Sequence, residues 1–118
     1  MIIGIGIDMI ELSRIERLVR NDQFIEKILT CKERERYYTL STHRKAEYLA
    51  GRFAAKEAYS KARGTGIGKK LSFHQMEVSN NEQGQPFFSK PQTDHEKAHV
   101  SITHTKEHAA AYVVIEQI

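Results

Sequence analysis

Two hydrophobic periods alternate along this chain, one of two residues and one of three to four. Residues 2–8 are β-branched and Gly-rich and too short for a helix, which predicts a strand delivering Asp8 at its C-terminal end. Ser13 with Glu16 forms a capping-box pattern, and Ile15, Leu18 and Val19 recur at helical spacing, predicting an amphipathic helix that ends near Asn21 and Asp22. A short second helix is expected over Phe24 to Leu29. Thr30 and Glu33 repeat the capping-box pattern and open a polar helix carrying Tyr37, Tyr38 and Leu40.

Ser41 and Thr42 begin the longest predicted element, which meets no breaker except Gly51 and runs to Arg63, with Gly64 as the residue that ends it. Ala46, Ala50, Ala54, Ala58 and Ala62 stand four apart, a row of small side chains that lets this helix lie close against another surface. Along the neighbouring row run Leu49, Phe53, Glu57 and Lys61, so a carboxylate and an ammonium follow two large apolar residues on a stripe that should face the protein. Beyond the loop at residues 64–68 the period returns to two. Residues 76–78 and 87–88 flank a turn-rich stretch and predict a hairpin, and Ala98 to Thr103 and Ala109 to Glu116 predict two more antiparallel strands. One strand, several helices and then a run of strands make the class α+β, without the alternation of a doubly wound parallel sheet.

Composition narrows the class further. A chain of 118 residues, 40% hydrophobic and 28% charged with two Pro and seven Gly, has the make-up of one folded domain spanning 1–118. Its single cysteine, Cys31, cannot close an intrachain disulfide, and Met1 leads into an apolar stretch with no basic segment before it, so a cytoplasmic protein is expected. No apolar run has the length of a membrane span.

Charge changes the picture more. The net charge is +3, yet residues 41–70 hold eight Lys/Arg (Arg44, Lys45, Arg52, Lys56, Lys61, Arg63, Lys69 and Lys70) against two acids. A field that concentrated attracts phosphates or an acidic protein, unless it is simply a solvated helix face.

Asp8, at the end of an apolar strand, and Glu57, on a mostly apolar stripe, are candidates for partial burial, which a carboxylate tolerates only with a partner. Two carboxylates suit Mg²⁺, which keeps waters and is completed by substrate phosphates, better than zinc. Alternatively Asp8 caps the next helix and Glu57 pairs with Lys61 at i, i+4. The glycines of residues 64–68 let backbone N–H groups approach an anion, but the loop leaves a helix and enters a strand, the reverse of the nucleotide-binding fingerprints. His104, following Val100 to Thr103, is placed to donate to a phosphate or shuttle a proton, or else is a solvated turn histidine.

Gly4-Ile5-Gly6-Ile7-Asp8, then Arg52-Phe53-Ala54-Ala55-Lys56-Glu57-Ala58-Tyr59-Ser60-Lys61, the Gly64-Thr65-Gly66 loop and Ser101-Ile102-Thr103-His104 together resemble the 4′-phosphopantetheinyl transferases, specifically the short bacterial subgroup, the holo-acyl-carrier-protein synthases. The resemblance spans essentially the whole chain. It implies transfer of 4′-phosphopantetheine from coenzyme A to a serine of apo acyl carrier protein, in support of fatty acid biosynthesis, releasing adenosine 3′,5′-bisphosphate. It also implies Mg²⁺ held by Asp8 and Glu57 against the coenzyme's pyrophosphate, Lys61 approaching the transferred phosphate, and His104 near the coenzyme. Arg52, Lys56 and the loop with Gly64 and Gly66 would cradle phosphates, and the serine proton would pass to Glu57 or to a metal-bound water. The acidic carrier would dock on Arg14, Arg17 and Arg20, with Phe24 and Ile25 adding contact area. The same resemblance implies a homotrimer with active sites between subunits. Longer members of the family carry a further acid where this chain has Ile10, so water would complete the metal's shell. Thr103 replaces the family's common Ser and keeps the hydroxyl.

Two rival readings are a small RNA- or anion-binding domain using the basic segment and a purely structural oligomerisation domain. Phe and Tyr are not interleaved with the basic residues on a strand as base-stacking platforms require, so no nucleic-acid partner is expected, and a structural domain leaves Asp8 and Glu57 without a task.

Overall fold

The computed structural model describes residues 1–118. Five strands and four helices follow in the order β1 (Ile2–Glu11), α1 (Leu12–Glu16), α2 (Asp22–Ile28), α3 (Cys31–Tyr37), α4 (Thr42–Arg63), β2 (Glu77–Asn80), β3 (Pro86–Lys90), β4 (Glu96–His104) and β5 (His108–Gln117), with a 3₁₀ turn at Phe73–Gln75 before β2. The strands form an antiparallel sheet ordered β1-β5-β4 and a separate β2-β3 hairpin. This is the expected α+β architecture.

The strand at the start is longer than its composition suggested. Pairing with β5 continues to Glu11 opposite His108, so Asp8 sits inside β1 opposite Ala111 and not at the strand's end. The two-residue period explains the extension, because Gly4, Gly6, Asp8 and Ile10 turn toward α4 while Ile3, Ile5, Ile7 and Met9 turn out. The first helix then begins directly after the strand, at Leu12, ahead of the expected cap at Ser13. Its N-cap is Glu11, without a side-chain cap, so the Ser13–Glu16 capping box is not formed. The helix ends at Glu16, and Leu18 and Val19 lie in the following turn. Asn21 instead caps α2, accepting from the N–H of Phe24 at 3.1 Å.

The remaining helices follow the sequence closely. Thr30 and Glu33 form a complete capping box on α3, Ser41 caps α4, and Gly64 ends α4 in the left-handed conformation at φ 85°. Every alanine of the row from Ala46 to Ala62 is buried. The row seats α4 on β1 so closely that a Cβ at Gly4 would stand 1.9 Å from the Ala62 carbonyl oxygen. One hydrophobic core joins α4 to the sheet and to α1–α3, and Ile25, expected to reach a partner protein, is fully buried in it. No helix is long and apolar enough to cross a membrane.

Candidate active site

Three candidate side chains, Asp8, Glu57 and Lys61, converge where α4 crosses β1. The Lys61 ammonium donates to Asp8 Oδ1 at 3.1 Å and to the carbonyl of Ile7 at 3.0 Å. Asp8 is only 17% exposed, since the strand directs it under α4, while Lys61 is half open to solvent. Glu57, one turn before Lys61, has its carboxyl pushed up by burial and then by the negative charge of Asp8, with Lys61 partly offsetting both. The Leu49-Phe53-Glu57-Lys61 stripe therefore runs from buried Leu49 to exposed Lys61, and its polar end meets the acid of β1.

This pair of carboxylates fits a hard divalent cation. Their mutual repulsion is what such an ion relieves, and Mg²⁺ commonly takes one or two protein carboxylates and completes its shell with water and phosphate oxygens. No group of three or more His, Cys, Asp or Glu is gathered in a metal-binding arrangement.

A second cluster lies elsewhere. A cavity of about 620 Å³ is walled by Lys32 and Arg36 of α3, Arg44, Glu47, Tyr48 and Arg52 of α4, Asn80 and Gly84 of the hairpin, and Ile102 and His104 of β4. Arg52 is its best-fixed cation. Its guanidinium stacks 4.2 Å from the Tyr48 ring, donates to Asn80 Oδ1 at 2.6 Å, and keeps a buried Nε with no partner. Burial holds Arg52 below the usual guanidinium range and lifts the Tyr48 hydroxyl above that of a free tyrosine. Asp8, Glu57 and Lys61 do not line this cavity. Arg52 and Lys61 stand nine residues apart on α4, about 180° around the helix, so the chain presents its two clusters in opposite directions.

Several sequence-predicted site residues fall outside both clusters. Lys56 is fully buried and faces neither cluster: its ammonium donates to Glu33 Oε1 at 2.6 Å and to the Ile28 carbonyl at 2.7 Å. A lysine next to the motif glutamate reads as a surface cation only until the capping-box acid of α3 is seen to reach it. Gly64 and Gly66 both have positive φ, 85° and 67°, and neither lines the cavity. Arg14 lies on α1, Arg17 caps it, Arg20 follows in the turn, and all three are exposed; Phe24 is half-buried, its ring 6.2 Å from that of Phe53. Sequence reasoning missed Glu47, Tyr48 and Asn80. For Glu47 a signal existed, as it is one of only two acids in the basic segment and the other is Glu57.

Comparison with known proteins gives the family. The sequence profile of the 4′-phosphopantetheinyl transferase superfamily matches residues 4–113. The holo-[acyl-carrier-protein] synthase of Bacillus subtilis strain 168 is 54% identical over 119 residues, covering 100% of this chain and 98% of that protein. Its counterpart from Listeria innocua is 54% identical over 118 residues, covering 99% and 100%. The crystal structure of the Bacillus anthracis holo-(acyl-carrier-protein) synthase in complex with CoA (3′,5′-ADP) superposes with a TM-score of 0.92 at 53% identity, covering 100% of this chain and 99% of that one. The Helicobacter pylori enzyme in complex with coenzyme A gives 0.83 at 33% identity over 95% and 99%. With a profile matched nearly end to end and relatives more than half identical over their whole length, the chain belongs to the holo-[acyl-carrier-protein] synthase family within the 4′-phosphopantetheinyl transferase superfamily.

Proposed function

We propose that this protein transfers the 4′-phosphopantetheine group of coenzyme A to a serine of apo acyl carrier protein, leaving adenosine 3′,5′-bisphosphate, as the step that readies the carrier for fatty acid biosynthesis. The observation that carries the reading is the convergence of Asp8, Glu57 and Lys61 at the β1–α4 crossing. Asp8 and Glu57 would hold Mg²⁺, which supplies charge neutralisation to the pyrophosphate. Lys61, already paired with Asp8 and half exposed, is placed to turn its ammonium to the phosphoryl group in transfer. The serine oxygen forms a bond to the β-phosphorus as the bond to the departing nucleotide phosphate breaks, and the serine proton goes to a base. The base would be Glu57 or a water held beside it.

Arg44, Arg52 and His104 would receive the phosphorylated nucleotide end of the coenzyme in the 620 Å³ cavity. Because this cavity and the carboxylate pair face opposite sides of α4, an extended ligand held by both is most simply bound between two copies of the chain. The outer face of the main sheet supports such an assembly. Ile5, Ile7 and Met9 are 59%, 62% and 67% exposed, beside Tyr112 of β5, and a row of large apolar side chains calls for a covering surface. A homotrimer closed through this face brings the two half-sites of neighbouring subunits together. The exposed arginines Arg14, Arg17 and Arg20, with the edge of Phe24, form the docking face for the acidic carrier. The cytoplasm is the proposed compartment, where a lone cysteine stays reduced.

The test is intact-mass measurement of an apo acyl carrier protein incubated with this protein and coenzyme A, with Mg²⁺ and again with excess chelator. A phosphopantetheine mass gain only with metal is the expected result. No gain with any carrier, from folded protein, refutes the reaction.

A further inference from the structure

Glu47 stands out among the residues around the cavity because its charge opposes the ligand the cavity is suited to. Lys32, Arg36, Arg44 and Arg52 give the wall its charge, and its other acid, Glu33, is spent inside the fold on Lys56 and on the N–H groups of Thr30 and Val78. Glu47 has no such tie. Its Oε2 lies 3.1 Å from His104 Nδ1 and 3.9 Å from His43 Nε2, an attraction present when those imidazoles are protonated. Glu47 and His104 both line the large cavity and also a neighbouring one of about 340 Å³, so the carboxylate stands at the junction of the two.

We infer that Glu47 is an affinity-setting residue: its carboxylate occupies His104 in the free protein, must yield it to an incoming phosphate group, and thereby holds down affinity for the nucleotide end of the donor and of the product. A partly exposed carboxylate at the cavity mouth repels a phosphate dianion without excluding it, and the repulsion weakens as salt screens it. An enzyme that must release adenosine 3′,5′-bisphosphate on every cycle gains from such a counter-charge, since a wholly cationic cavity would retain the product.

The inference rests on the reading that this cavity takes the nucleotide end of coenzyme A, and the experiment separates the two. Adenosine 3′,5′-bisphosphate is titrated calorimetrically into the intact protein and into Glu47→Gln, which keeps the side chain's shape and removes its charge, at low and at high potassium chloride. The expected result is a Kd roughly fivefold to tenfold lower in Glu47→Gln at low salt, with the gap narrowing as salt rises. A merely structural role for Glu47 would give weaker binding and no salt-dependent gap. Equal or weaker binding by Glu47→Gln, where the unaltered protein binds, overturns the inference. Failure of the unaltered protein to bind overturns the reading of the cavity beneath it. Glu47→Ala, which also removes the charge, must move affinity in the same direction, and its doing otherwise counts against the inference as well.

Discussion

Gly6 lies against Ala58 so closely that a Cβ on the glycine would stand 2.0 Å from the Ala58 carbonyl oxygen. The contact is backbone against backbone, so no side chain can turn aside to relieve a substitution. It is also what brings the strand carrying Asp8 under the helix carrying Glu57 and Lys61, since Gly6 and Asp8 point the same way from β1. Gly6→Ala should destabilise the fold by about 3 kcal/mol, at the upper end of overpacking costs, and whatever remains folded should have lost most transfer activity. Urea unfolding followed by circular dichroism checks the first part. A variant as stable as the parent would show that α4 and β1 do not meet at this distance.

Lys56 and Glu33 form a buried long-range tie of α4. Glu33 accepts from Lys56 Nζ at 2.6 Å, from the N–H of Thr30 at 2.9 Å and from that of Val78 at 2.8 Å, fastening α3, α4 and the hairpin together. Burial pulls the Lys56 ammonium below its usual range and Glu33 pulls it back, so the carboxylate is what keeps the buried charge tolerable. Glu33→Ala strands that ammonium and two N–H groups, and should cost about 3–5 kcal/mol. Conversely, Lys56 should contribute to activity only through the fold: Lys56→Met protein refolded to a native spectrum should retain the parent's KM for coenzyme A. A strongly raised KM in a folded variant would return Lys56 to the site.

Helix caps and the long alanine-lined helix could be read residue by residue, because they depend on neighbours three or four positions away. The failures have a common cause in pairing between distant segments. Ser13 and Glu16 offer a valid local cap, but pairing with β5 carries β1 three residues further, to Glu11, and the helix starts directly after it at Leu12, which leaves Ser13 inside the first turn. Lys56 looks like its neighbours in a basic segment until Glu33, 23 residues earlier, reaches it. Asp8, Glu57 and Lys61 were legible as a set through the family resemblance, because their local positions left a helix cap and an i, i+4 pair open and placed Asp8 at the end of a strand that continues past it. The cavity around Arg52 was not, as it is assembled from α3, α4, the hairpin and β4.

The raised carboxyl of Glu57 has a pH consequence with a definite sign. A carboxyl that holds its proton more strongly in the folded state stabilises the fold fully in acid, and that stabilisation is lost as pH rises from the ordinary carboxylate range, near 4.5, through the raised value. The unaltered protein should therefore lose stability relative to Glu57→Gln between acid and neutral pH. Mg²⁺ at neutral pH should restore it by relieving the repulsion between Asp8 and Glu57, raising the unfolding temperature by several degrees, with no such gain in Asp8→Asn. Thermal melts of the three proteins across pH, with and without Mg²⁺, check this. A gain of the same size in Asp8→Asn would place the cation elsewhere.

The outer face of the β1-β5-β4 sheet makes the strongest demand on assembly. Ile7 is 62% exposed and pairs across the ladder with Tyr112, itself 43% exposed, so their side chains share a face that a lone chain would leave to water. An edge strand such as β1, open on one side and apolar on its outer face, is also a template for aggregation unless something covers it. In the proposed homotrimer a second and third copy would do so and would bring the carboxylate pair of one subunit toward the cationic cavity of another. Ile7→Lys puts a charge at the centre of that contact without touching the core, so the monomer should stay folded while light scattering after size exclusion reports one chain instead of three. Transfer should fall at least a hundredfold, since each half-site then stands alone. A variant that is monomeric and fully active would show that one chain suffices for the reaction. An unaltered protein already monomeric at micromolar concentration would remove this face from the assembly.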